Sequence, residues 1–268
     1  LVVDDDGNIT TYYWNIIEHM AFWGPLGGPE GDCTLASTYG PDGKASTGDE
    51  IEAVICDDPA PPPLIGYVAA FPIPEVIRGI NAFTLGVREV NPNAVVEVNW
   101  TSTWFDPVVE GDAAQALLEK GADVIAMHQD STAAGHAAEA AGARWVSYNS
   151  DMSAFAPEAY LTAPVWNWGP RYVEIIEAVQ AGTYTPGYYW GSMADGVVDL
   201  APIAADVNSR VTDRVMAAKE AIIAGDLHPF TGPIHDQAGN LILADGVVMD
   251  DGAMLSMSFF VDGVIGTD

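Results

Sequence analysis

GYVAAFPIPEV (Gly66–Val76), VVEVNWTSTWFDP (Val95–Pro107) and ADVIAMHQDSTAAG (Ala122–Gly135) are the stretches on which the fold reading rests. Each starts as an apolar run of strand length, then turns through polar or aromatic residues into a helical pattern. After the first, Val76, Ile77, Ile80, Phe83 and Val87 recur at helical spacing between Pro74 and Val90, and Pro74 suits a first helical turn. The second leads into a helix from Pro107 to Lys120, and the third into an Ala-rich helix from Ser131 to Ala141 that stops at Gly142. Trp145 to Tyr148 reads as a further strand. Right-handed crossovers make such strands parallel neighbours, so an α/β architecture is expected. In an open parallel sheet, ligands sit outside the carboxyl ends of the strands. Those ends hold Phe71, then Trp104 with Asp106, then His128 with Gln129 and Asp130.

Working outward, the proline run DDPAPPP (Asp57–Pro63) forbids helix and reads as an extended connector. Residues 1–64 lack the βα alternation and are taken as an atypical N-terminal segment. Residues 65–150 are expected to form a first α/β lobe, and 151–268 a second lobe with C-terminal hairpins. In that second part Tyr160–Val165 and Gly196–Leu200 read as strands, Pro170–Ala181 and Asn208–Ala224 as helices, with turns at Asp236–Asn240 and Asp250–Gly252. Two lobes with a cleft between them are the geometry of a protein that closes on its ligand.

Composition removes several classes of function. The chain has 268 residues, 49% of them hydrophobic, enough for a substantial core. Nine Lys and Arg against 38 Asp and Glu leave a net charge of -29. That balance argues against nucleic acid and against anionic membrane surfaces as partners. It reads as a solvated acidic surface, suited to a salty medium in which self-repulsion is screened. No apolar run approaches the roughly 20 residues that span a bilayer, so no transmembrane segment is expected. The first residue is Leu1, with no charged leader or cleavage site after it, so any export signal or lipid-bearing cysteine is expected either to have been removed or to lie outside this sequence.

Cys33 and Cys56 both precede the βα alternation and bracket a polar, Gly-containing stretch. A disulfide fits that arrangement in an oxidising compartment, and two free thiols fit it in a reducing one. Two cysteines without a clustered histidine pair do not make a zinc site. DDDGN (Asp4–Asn8) invites a calcium reading, but an EF-hand register would place ligands at Val2 and Tyr13, so a hairpin turn is expected there. No metal and no cofactor is called for.

Seven segments, taken in order, resemble the basic membrane protein family. They are GYVAAFPIPEVIRGINAFTLGV from Gly66, WTSTWFDP from Trp100, GADVIAMHQDSTAAG from Gly121, SYNSDM from Ser147, LTAPVWNWGPRY from Leu161, YWGSMADGVVDLAP from Tyr189 and AAKEAIIAGDLHPFTGP from Ala217. The resemblance covers about residues 65–265, whereas residues 1–64 do not resemble the βα units that open the first lobe in that family. It implies a type I periplasmic-binding fold, a ligand held between two lobes, and a purine nucleoside or nucleobase as that ligand. It also implies delivery to an ABC transporter permease from the periplasm or from a lipid-anchored position on the cell surface.

The candidate ligand contacts also have physical reasons of their own. Trp166 and Trp168 lie at a strand-to-helix turn, and their indoles or that of Trp190 either offer a face on which a purine stacks or fill the core between lobes. Asp195, in ADGVV, either accepts paired ribose hydroxyls or is a surface turn residue. Gln129 and Asp130 either bond a base or sugar edge beside a helix N-terminus, or Asp130 is a plain N-cap. Asp151 marks a hinge, a ligand contact or a simple turn, and Phe71 either walls the pocket or belongs to the core.

An enzyme would have to draw on Asp130 with His128 or His136 for acid–base chemistry. No nucleophile elbow, P-loop, HExxH helix or dinucleotide fingerprint accompanies them. Catalysis is therefore not expected. The remaining alternative is a cell-surface structural or interaction protein in which the pocket is vestigial.

Overall fold

The computed structural model describes residues 62–267, together with strands β1 (Val2–Val3), β2 (Ile9–Thr11), β3 (Cys33–Ser37) and β4 (Glu52–Cys56). The chain divides into two compact units, Leu1–Pro61 and Pro62–Asp268. In the first unit, β1 pairs antiparallel with β2 across residues 4–8, and β3 pairs antiparallel with β4 in a register that sets Cys33 opposite Cys56. The DDDGN turn itself lies outside the described residues.

The second unit is built on a six-stranded sheet. Strand β5 (Leu64–Ala69) leads to helix α1 (Pro74–Val90), β6 (Val95–Trp100) to α2 (Pro107–Glu119), and β7 (Val124–His128) to α3 (Ala133–Ala140). Then come β8 (Arg144–Val146), β9 (Tyr160–Thr162) and, near the C-terminus, β14 (Val264–Ile265). The spatial order is β14-β6-β5-β7-β8-β9, and every neighbouring pair is parallel. The alternation expected from the sequence is thus present, and the carboxyl ends of β5, β6 and β7 share one edge of the sheet.

Both faces of the sheet are covered, which is why its strands are nearly continuous apolar runs. On one face Ala113, Ala114 and Leu117 of α2 and Ala134 and Ala138 of α3 pack on Val68, Ile125, Met127 and Trp145. On the other, Val76, Ile77 and Ile80 of α1 meet Tyr67, Ala69, Val96, Val98 and Ala126, joined by Phe230, Ile234, Met257 and Phe260 from the C-terminal segment. The close fit of α3 depends on Gly135. A Cβ there would lie 2.4 Å from the Trp145 ring.

The sheet extends beyond the expected boundary at 151, because β9 and β14 add to its two edges. The expected strand Tyr160–Val165 is two strands. The chain leaves the sheet at buried Ala163, and β10 (Pro164–Trp166) pairs antiparallel with β11 (Val198–Leu200) in a separate two-stranded ribbon. Helix α4 (Gly169–Gln180) lies between the two strands of this ribbon in the sequence and α5 (Ser209–Ala224) follows it, and neither contributes a buried residue. Strands β12 (Ile234–His235) and β13 (Leu241–Leu243) form the expected hairpin around Asp236–Asn240. At Asp250, in contrast, the expected turn is the start of helix α6 (Asp251–Leu255), because the Asp250 carboxylate accepts the Ala253 N–H at 2.8 Å as an N-cap.

Candidate functional site

Strand order places a crevice. From β5 the chain moves through α1 to β6 on one side, and from β6 it returns through α2 to β7 on the other side of β5. Helices α1 and α2 cover opposite faces of the sheet. The loops after β5 and β7 therefore diverge between neighbouring strands, the position at which open α/β sheets bind ligands. A cavity of about 430 Å³ lies there, lined by Glu75 of α1, Trp104 after β6, His128 and Asp130 at the end of β7, and Tyr148 and Asn149 after β8. The ribbon and the segment that joins its two strands close the opposite wall with Trp166, Trp168, Tyr189, Trp190, Gly191, Val197 and Val198.

A buried network holds the two loops that carry Trp104 and Asp130. Asp106 caps α2 by accepting the Val108 and Val109 N–H groups at 3.0 and 3.2 Å. Glu110, fully buried, returns the favour by accepting the Asp106 N–H at 2.9 Å. Its other oxygen accepts the Ser131 N–H at 3.2 Å and the Ser131 hydroxyl at 2.5 Å, across the gap between loops. Gln129 Nε2 donates to Thr101 Oγ1, and the Asp130 N–H reaches the Trp104 carbonyl at 3.1 Å.

The aromatic walls are also pinned. The Trp166 indole N–H donates to Asn149 Oδ1, and Asn149 sits at φ 67°, a left-handed conformation that asparagine tolerates better than most residues. Tyr148 lies 4.0 Å from His128, centroid to centroid. The Arg78 guanidinium sits 5.2 Å from the Trp190 ring centre while donating to the Met254 carbonyl at 3.0 Å. Trp168 stacks on Tyr172, with planes 16° apart.

Electrostatics separate the polar groups. His128 is 3% exposed, and burial, with the Arg78 charge as the smaller cause, pushes its imidazole down to about 4. Its Nε2 stands 3.9 Å from Glu75 Oε1, so at neutral pH this is a neutral ring near a carboxylate and not an ion pair. Burial raises the Tyr148 phenol well above its ordinary range, with the Glu75 and Asp130 charges adding to the shift, so it stays a neutral hydroxyl.

The expected contacts fall into two sets. Asp130, Trp166, Trp168 and Trp190 line the cavity. Phe71 is half-buried and outside the lining, its ring centroid 5.5 Å from that of the lining residue Trp104. Gln129 is fully buried and bonded to Thr101. Asp151 accepts the Ser153 N–H at 3.0 Å and lies outside the lining. Asp195 closes its own turn, accepting the Ser192 N–H and hydroxyl at 2.9 and 2.7 Å, next to the stretch that supplies Gly191 to the wall. Those Ser192 bonds hold the Asp195 carboxyl below its usual range.

The structure adds Glu75, Tyr148, Asn149 and Tyr189, and brings Trp104 and His128 from strand ends into the lining. One signal for His128 was present in the sequence. Alternate residues of an extended segment share a face, so His128 and Asp130 point one way and Gln129 the other.

Residues 63–226 match the Bmp family, described as ABC transporter substrate-binding protein PnrA-like. The chain belongs to this family. Members are substrate-binding proteins of ABC transporters and not enzymes. A purine-binding protein of Brucella abortus is 41% identical over 214 residues, which are 80% of this chain and 61% of that protein. A putative ABC transporter glucose-binding protein of Haloferax volcanii is 41% identical over 202 residues, 75% of this chain and 49% of the relative. The chain therefore spans about half to three-fifths of the length of these relatives. Among solved structures, an ABC transporter solute-binding protein from Conexibacter woesei superposes with a TM-score of 0.52 at 25% identity, over 62% of this chain and 57% of that one. The α/β fold with its mostly parallel sheet is thus periplasmic-binding-protein-like. Among the described residues, no helix is long and apolar enough to cross a membrane.

Proposed function

We propose that the cavity binds a purine base or nucleoside and that the protein hands it, on the extracytoplasmic side, to an ABC transporter permease. The observation that carries this reading is the wall of indoles, Trp104, Trp166, Trp168 and Trp190, around a space of about 430 Å³ at the carboxyl ends of parallel strands. That volume is within the roughly 300–1,000 Å³ usual for small-molecule sites. Flat heteroaromatic rings gain from stacking on such faces. The polar groups at the cavity, Glu75 and Asp130 carboxylates beside the Asn149 amide, suit a ligand with N–H and O–H donors. Two carboxylates in a chain of net charge -29 work against phosphate, which favours base or nucleoside over nucleotide. The purine-binding relative supports the same reading.

In this reading Asp195 acts by shaping the turn beside Gly191, Asp151 by holding the loop after β8, and Phe71 by backing Trp104. Calorimetric titration with adenine, hypoxanthine, adenosine, guanosine and glucose tests the proposal. Heat with a purine and none with glucose is the expected result. Binding of glucose alone would replace the ligand class with that named for the Haloferax volcanii relative. Silence toward every compound would reject the binding function.

A further inference from the structure

The His128 ring is the one feature of the cavity that its own packing does not explain. It is 3% exposed, yet neither ring nitrogen has a hydrogen-bond partner among the described residues. A buried donor and acceptor left open in this way ordinarily mark a missing partner, and polar groups in cores are paired as a rule. The two nitrogens face different surroundings. Nδ1 turns toward α1 at Gly79, where a Cβ would come within 3.3 Å of it. Nε2 turns toward Glu75, too distant at 3.9 Å for a hydrogen bond, and Glu75 is itself a lining residue.

The faces of the ring are already occupied. Tyr148 covers it at 4.0 Å between centroids, and Trp104 stands at 6.1 Å. Both edge nitrogens are buried as well, and the polar group nearest Nε2 is the Glu75 carboxylate, on a side chain that is 57% exposed and free to move. The charged and titratable groups around the ring are Glu75 and Arg78 from α1, Tyr67 from β5, Asp130 from the loop after β7 and Tyr148 from the loop after β8. Burial and the Arg78 charge oppose protonation, so the ring stays neutral with one donor and one acceptor.

We propose that His128 is the specificity-determining anchor at the floor of the cavity, its Nε2 uncovered when the exposed Glu75 side chain moves aside and then hydrogen-bonded to a polar edge atom of the bound heteroaromatic ring. The inference rests on the reading of the cavity as a purine site. The aromatic walls recognise any flat ring, whereas a buried imidazole edge recognises only a ring with a nitrogen, N–H, carbonyl or amine at the matching position. A purely hydrocarbon or mismatched ring would leave Nε2 unpaired in the closed site, which is how polar pockets reject analogues.

Three measurements decide it. Titration of adenine into the parent, His128→Gln and His128→Phe should show affinity reduced about tenfold or more in the phenylalanine variant and less in the glutamine variant, which keeps a polar edge. In parent protein labelled with 15N-histidine, the Nε2 resonance of His128 should shift when adenine binds. That readout stands even if a variant fails to fold. Adenine binding in His128→Phe within twofold of the parent, or a His128 Nε2 resonance unmoved at saturation, would overturn the inference while leaving the purine reading intact. A parent that binds glucose and no purine would overturn both.

Discussion

Replacing Glu110 with alanine removes the clamp between the two loops that frame the cavity. The carboxylate is fully buried and accepts from Asp106 N–H, Ser131 N–H and Ser131 Oγ at 2.9, 3.2 and 2.5 Å. Hydrogen bonds to a charged acceptor are worth about 1.5–3 kcal/mol each, but the three are not independent, and the Asp106 N–H lies near the surface where water can replace the lost oxygen. The Ser131 donors are buried and would remain unpaired. The expected loss is about 3–5 kcal/mol, a large share of the roughly 5–15 kcal/mol that stabilises an ordinary domain. Glu110→Gln keeps the shape and one accepting oxygen, so it should cost only about 1–2 kcal/mol. Urea unfolding followed by tryptophan fluorescence reads both as shifts of the midpoint at unchanged slope. Ligand titration of the variants should show weakened binding as well, because Trp104 and Asp130 ride on the loops that come apart. A Glu110→Ala protein that loses less than about 1 kcal/mol would refute the claim that this carboxylate is the clamp.

Further outcomes follow from other residues. His128 titrates near 6.5 when unfolded and is pushed down to about 4 when folded, so as pH falls between those values the unfolded chain takes up the proton first. Stability should fall over that window by about 3 kcal/mol, and His128→Gln should remove this part of the slope in urea titrations run at successive pH values. Trp168→Ala should weaken purine base and nucleoside alike by about 1–3 kcal/mol in calorimetry, and loss of only one of them would argue against stacking. The register that sets Cys33 opposite Cys56 leads us to expect a disulfide when the protein is made in an oxidising compartment, stabilising the first unit by about 3 kcal/mol on the chain-entropy account. Thiol titration of the unfolded, unreduced chain should find none free, and two reactive thiols would contradict it.

What the sequence determined by itself is what short-range physics controls. Apolar runs at Gly66, Val95 and Ala122 can be read as strands because both faces of a parallel sheet are buried, and Pro74, Pro107 and Asp106 mark helix starts because their demands are met within a turn. For the same reason the strand ends, and with them Trp104 and His128, were legible as the edge where a ligand would sit. Tertiary structure decided everything that depends on which strands become neighbours. The placement of β6 and β7 on opposite sides of β5, the recruitment of β9 and β14 to the sheet edges, and the departure of the chain at Ala163 are long-range choices that leave no local pattern. Those choices bring Glu75, Tyr148 and Asn149 to the cavity and leave Gln129 bonded to Thr101 inside. A side chain's role at such an edge is set by which partners the topology puts within about 3 Å, and residues tens of positions apart carry no record of that distance in their own neighbourhoods.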